Sequence, residues 1–197
     1  MDNTNLSNKT QTMKYPLALL IAIFLGLQIH AQDDSYKEEK TEEQEEKILD
    51  TTAVYTLNKT IKALYSSISG EKEEKRNWKQ FHYLFKPEAK MVVSHLNDDF
   101  VYDTRYLSPK DYKKTSEKWM MEHGFIEKEI HRKVEHFGNI VHVFSTYEAF
   151  YSKTDEEPFM RGVNSIQLFY DGTRWWIVNI MWAQENDENP IPKKYLP

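Results

Sequence analysis

Cysteine is missing from all 197 residues. Disulfides, thiolate nucleophiles, thiolate-held metals and iron–sulfur clusters are therefore excluded. A bacterial lipid anchor, which is attached at a cysteine, is closed to the chain as well. Glycine is scarce, with six in the whole sequence, and none forms a phosphate-cradling loop or a Gly-x-Ser-x-Gly elbow. No helical His-Glu-x-x-His pair occurs, and His95 near Asp98 and Asp99 is only a loose turn cluster. Neither a metal nor any other cofactor is expected. Basic stripes are lacking too, and the net charge is −5, which argues against nucleic acid as a partner.

Long apolar runs are also few. The stretch Leu17 to Leu27 is shorter than the roughly 20 residues a membrane span needs. A basic Met13-Lys14 precedes it, and Ala31-Gln32 follows at a cleavage distance. Residues 1–31 read as a secretion signal cleaved after Ala31, with Met13 a candidate true start and an uncleaved anchor the alternative. A periplasmic or secreted location follows, with no membrane contact after cleavage. Loss of the signal removes Lys9 and Lys14 against Asp2 and takes the net charge to −6. Residues 32–49 are nearly all charged or polar, so they bury too little surface to offset ordering entropy. A disordered spacer is expected there, with a solvated helical extension the alternative.

What is present is aromatic side chains, at 14% of residues, and a dense closing stretch. Arg161 to Trp182 reads as two strands joined at Asp171-Gly172. Upstream, Asp50 caps an expected helix to Ser69 with Val54, Leu57, Ile61, Leu64, Tyr65 and Ile68 on one stripe. A short second helix covers 77–85. Strands are expected at 89–96 and 100–106, joined by a turn at Asn97-Asp98-Asp99. Ser108-Pro109 opens a third helix that ends at Gly124. Strands follow at 125–136 and 140–151, and residues 185–197 form an irregular, proline-containing tail. Helices and strands are segregated, which predicts α+β with an antiparallel sheet over one domain, 50–184. Long strands twist, and a curled sheet leaves a hollow beneath the helices.

This order resembles the nuclear-transport-factor-2-like superfamily, also called SnoaL-like or cone-fold proteins, over about residues 50–183. The marks are Trp78 to Phe85 before a first strand, Tyr147-Glu148, Arg161-Gly162, and Leu168 with Asp171-Gly172 and Trp175-Trp176-Ile177. The resemblance implies a cone-shaped curved antiparallel sheet wrapped around N-terminal and middle helices, and a homodimer through the outer sheet face. It leaves activity open, since members include isomerases, dehydratases, cyclases and non-catalytic adaptors. In its enzymes a carboxylate base works inside the cone opposite hydrogen-bond donors.

Four residues are candidates for such a set if their faces turn inward. They are His142 and Glu148 as acid–base groups, and Asn164 and Asn179 as groups orienting a ligand carbonyl. The plain alternative makes His142 and Glu148 an exposed cross-strand pair and gives the asparagines local backbone partners. Tyr55 and His82 are candidates for the rim of the cone, and Trp182 for its wall. Non-catalytic binding of a small apolar ligand, or an assembly role, is the expected function. A metal-free isomerase or dehydratase acting on a small carbonyl compound is the alternative, and a cone filled by its own aromatics is the third reading.

Overall fold

The computed structural model of the chain describes residues 47–97 and 101–197. The expected secretion signal, most of the expected spacer, and Asp98 and Asp99 of the expected turn lie outside the described residues.

The first helical stripe is interrupted. Asp50 accepts a hydrogen bond from Thr52 N and caps only a 3₁₀ turn, Thr51–Val54. Thr56 then caps α1, Leu57–Ile68, by accepting from Lys59 N. Asn77 caps α2, Trp78–Leu84. Ser108 and Asp111 form a reciprocal capping box for α3, Pro109–His123, with Pro109 at the first helical position. Six strands follow the expected order: β1 Phe85–Leu96, β2 Tyr102–Leu107, β3 Ile126–Phe137, β4 Ile140–Phe150, β5 Met160–Tyr170 and β6 Trp175–Gln184.

The strands form one sheet in the order β2-β1-β6-β5-β4-β3. The α+β class holds, but the sheet is mixed: β1 pairs with β6 in parallel and the other four pairings are antiparallel. The long path through α3, β3, β4 and β5 brings the last strand back beside the first. One face carries the core. Phe81 and Leu84 of α2 and Ile61 and Leu64 of α1 pack with Val143, Ile166, Leu168 and Ile177 of the sheet, all at 4% exposure or less.

Two bulges set which side chains reach that face. In β3, Glu129 pairs with Tyr147 and His131 with Thr146, leaving Ile130 as an extra residue. In β6, Leu168 pairs with Ile177 and Gln167 with Asn179, leaving Val178 extra. Each extra residue resets the two-residue alternation of the strand beyond it.

The closing hairpin is fastened at its turn. The Asp171 carboxylate accepts from Thr173 N, Arg174 N and Trp176 Nε1, and these bonds hold its pKa far below the usual carboxylate range. Arg174 stacks between Tyr83 and Trp176 and donates to the Tyr83 carbonyl, joining the hairpin to α2. The tail beyond β6 is not free of the domain. Tyr195 accepts from Thr146 Oγ1 at 2.6 Å and lies against Phe144, so the tail covers part of the outer face.

Gly124 ends α3 with φ +80° and ψ 152°, a combination nearly confined to glycine. An added Cβ would lie 2.1 Å from the Tyr151 carbonyl oxygen. Gly124→Ala is expected to lower stability by about 2 kcal/mol or more. Urea unfolding checks this as a lower midpoint at an unchanged slope.

Candidate functional site

Between the three helices and the inner sheet face lies a cavity of about 270 Å³. Leu64, Ile68, Phe81, Met91, Phe125 and Ile180 give it an apolar lining. Its mouth opens along α3, where Thr115 and Trp119 line it and are both exposed. Besides Thr115 and Ser116 of α3, five polar side chains reach the same space: Glu127, Asn164, Tyr65, Tyr112 and Tyr147.

Each comes from a different element. Tyr65 lies on the buried stripe of α1, and Tyr112 in the first turns of α3. Tyr147 and Asn164 occupy inward positions of β4 and β5, where Ser145 pairs with Asn164 and Tyr147 with Gly162. Glu127 is next to the start of β3, opposite inward Ala149. Its placement is pinned locally: Gly70 and Phe125 exchange two backbone hydrogen bonds, and Glu127 N donates to Ser69 Oγ at 2.9 Å. The end of α1 therefore holds the strand that carries the carboxyl.

The polar groups are linked in one direction. Asn164 Nδ2 donates to Glu127 Oε1 at 3.0 Å and to Tyr65 OH at 3.1 Å. Tyr65 shares a 2.7 Å hydrogen bond with Ser145 Oγ, which donates to Glu129 Oε1. Since the Ser145 proton goes to Glu129, the Tyr65 proton goes to Ser145. Arg132 closes the chain by donating to both Glu129 oxygens and to Asn58 Oδ1. Asn164 thus spends both amide protons, one on Glu127 and one on Tyr65.

Glu127 and Glu129 differ in what compensates their charge. Glu129 has a guanidinium and a hydroxyl. Glu127 has one amide donor, and burial drives its pKa from 4.5 up to about 7 against the smaller opposing pull of Asn164. Burial likewise raises the phenols of Tyr65, Tyr112 and Tyr147, and the Glu127 charge raises all three further. Among the described residues no group of three metal-ligating side chains converges.

The sequence candidates are scattered by this geometry. Asn164 and Trp182 line the cavity, and they are direct cross-strand neighbours. Asn179 does not: the bulge at Val178 turns it to the outer side, level with exposed Gln167 and Lys90. His142 and Glu148 also face outward. The register that puts Ser145 and Tyr147 beside Asn164 and Gly162 puts His142 opposite Gln167 and Glu148 opposite Arg161. His142 Nε2 lies 2.8 Å from Ser165 Oγ, while Glu148 stands beside Lys128 and Arg161. The two are thus separated from Asn164 by the thickness of the sheet. Tyr55 is 59% exposed, and neither it nor His82 lines the cavity. His82 packs edge-on against Phe81, with its pKa lowered chiefly by burial.

The residue missed by sequence was Glu127. Ile126, Ile130 and Val134 suggested the apolar face of that strand, which assigns the glutamates to solvent. The available signal lay in the partner strand, where Ser145 and Tyr147 interrupt the apolar series Val141, Val143 and Ala149. Polar residues on an otherwise core-facing series require polar partners opposite.

Because folding raises the Glu127 pKa, the native chain keeps a proton that the unfolded chain has already released between about pH 4.5 and 7. This part of the stability is complete below pH 4.5 and is lost as pH rises through 7, to a total of up to about 3 kcal/mol. Glu127→Gln is expected to abolish that loss. Unfolding of both proteins in urea at pH 4.5 and pH 8 checks it: the variant should gain on the native protein as pH rises. A difference that does not change with pH would mean that Glu127 ionises as it does in water.

No family model matches the chain, and no curated protein matches it. Solved structures do. A Nostoc punctiforme protein of unknown function with a cystatin-like fold aligns at TM-score 0.49 and 5% identity, covering 66% of this chain and 89% of that one. An NTF2-like protein of unknown function from Silicibacter pomeroyi aligns at 0.46 and 13%, covering 66% and 92%. The hexachlorocyclohexane dehydrochlorinase LinA-type3 from Novosphingobium barchaimii aligns at 0.46 and 11%, covering 64% and 82%. The chain is similar to NTF2-like and cystatin-like structures.

Proposed function

We propose that the cone binds one small, mostly apolar molecule and seats its polar end against Glu127 and Asn164. The observation that carries this reading is the cavity itself, which stays open to the α3 side although aromatic residues surround it. Its size is near the lower end of ligand sites, enough for one ring and a short chain. A few convergent polar groups in an apolar pocket are the usual form of such a site. With the sequence reading of residues 1–31 as a secretion signal, the proposal places binding in the periplasm or outside the cell.

One observation favours a catalytic version. A carboxyl titrating near 7 and ringed by phenols is suited to remove a proton from a carbonyl compound while a hydroxyl steadies the developing oxyanion. In that version Glu127 is the base of a metal-free isomerase or dehydratase, replacing the roles expected for His142 and Glu148. The catalytic version predicts exchange of an acidic C–H of the guest with deuterated water, followed by NMR. The rate should rise with an apparent pKa near 7 and fall by about 10²–10⁴ in Glu127→Gln. Binding without exchange would leave the protein a carrier or sensor.

Binding is tested by native mass spectrometry of the purified chain and by thermal shift against a panel of small hydrophobic molecules. A guest at 100 times its Kd should raise the melting temperature by roughly 5–10 °C. Thr115→Trp, at the exposed mouth, should leave the melting temperature of the free protein nearly unchanged and remove the shift. The proposal fails if no guest accompanies the protein and no compound in the panel stabilises it.

A further inference from the structure

The cavity is unusual in the balance of its charges. Glu127 is its one ionisable group of ordinary acidity, and among the described residues no lysine, arginine or histidine lines it. The rings of Tyr65, Phe81, Tyr112, Phe125, Tyr147 and Trp182 line the same cavity. A carboxylate removed from water needs a counter-charge or several donors. Glu127 has a single donor, the amide of Asn164. The nearby acid, Glu129, shows what full compensation looks like, with Arg132 and Ser145 both committed to it. Arg132 is held on Glu129 and, through Nη1, on Asn58 of α1, and it does not line the cavity that Glu127 enters.

Two guests can complete the Glu127 site: a proton, or a cation entering from the mouth. The rings favour the second, since aromatic faces attract alkylammonium groups. The direction of the hydrogen bonds points the same way. Tyr65 gives its proton to Ser145 and accepts from Asn164, and the Asn164 amide protons are both used, so neither residue has a proton left for a guest. The Glu127 carboxylate, with Asn164 as its one donor, suits a ligand that donates.

We propose that the guest of the cone is a small hydrophobic cation, an amine or ammonium carried on an apolar body, with Glu127 as its counter-ion and the surrounding rings as its walls. The inference rests on the reading that the cone binds a ligand at all. It assigns the class of that ligand, and it excludes carboxylates, for which the cavity has no cationic partner among the described residues. The groups facing Glu127 are Asn164 on β5, Tyr65 on α1, Tyr112 on α3 and Tyr147 on β4, with Glu129 and its Arg132 further along β3. Burial and the Glu127 charge raise all three tyrosines above the ordinary phenol, so between pH 5.5 and 8 Glu127 is the lining group that titrates.

The test uses the folded chain and four probes of similar shape: phenethylamine, benzyltrimethylammonium, 2-phenylethanol and phenylacetate. Calorimetry at pH 8 should show both cations binding at least tenfold more tightly than 2-phenylethanol, with no detectable phenylacetate binding. The advantage should shrink as pH falls to 5.5, because a protonated Glu127 no longer attracts the cation. Repeating the titration at pH 6.5 in phosphate and in Tris reads the proton released when a cation binds, and 2-phenylethanol should release none. Glu127→Gln should lose the preference for the two cations over 2-phenylethanol and its dependence on pH. Equal or tighter binding of 2-phenylethanol at pH 8 overturns the cation assignment while the ligand-binding reading stands. If none of the four binds, and the wider panel also gives no shift, the ligand-binding reading falls with it.

Discussion

Strand register is the constraint on which the site depends. Side chains along a strand alternate between two faces, so a single extra residue reverses every assignment beyond it. Two such residues operate here. Glu129 and Arg132 are three positions apart and would sit on opposite faces of a regular strand. The bulge at Ile130 puts both on the inner face, where they pair. The bulge at Val178 turns Asn179 outward and brings Ile180 and Trp182 to the cavity. Neither effect costs the sheet its pairing, because the ladder resumes one residue later. The inner face thus gains an ion pair tied to α1 and an aromatic wall packed against Tyr112 of α3, from strands whose sequences show no unusual motif.

Energetically, the same register explains why one acid is structural and its neighbour is poised. Ser145, Tyr65 and Asn164 form a chain whose polarity is fixed at one end by the Glu129–Arg132 pair. A chain of hydrogen bonds with one orientation is pre-organised, so its far end meets a guest without reorienting. That far end is the amide pointing at Glu127. The Glu127 carboxyl therefore rests in an apolar cavity with one committed donor, close to the balance point between its charged and neutral forms. Structural acids are seldom left in that condition, and functional ones often are.

Much of the fold was legible because it rests on local signals. Ser108-Pro109, Gly124 and the Asp171-Gly172 turn mark boundaries that depend on one or two residues each, and the strands between them follow from their β-branched and aromatic content. The stop at Thr56 was not legible, since the apolar stripe runs unbroken across it. The parallel pairing of β1 with β6 was also hidden, because it depends on which strands meet after the chain has closed. The site was legible only in part. Asn164 stood out as a polar residue among apolar neighbours, but its partner Glu127 lay on a strand whose apolar spacing pointed the other way.

The outward position of His142 and Glu148 shows how far a face assignment governs a functional reading. Both belong to the residue types that catalysis uses, and both sit on a strand of the cone. The register turns them to the side partly covered by the C-terminal tail, where Tyr195 meets Thr146 and Phe144 between them. Thr146 is wholly buried there although it points away from the core. Their neighbours are accordingly Ser165, Arg161 and Lys128, partners that suit a structural surface. Which side chains reach the cavity is decided by the parity of a residue's position. Glu127 has the right parity, and Glu148, on the neighbouring strand, has the wrong one.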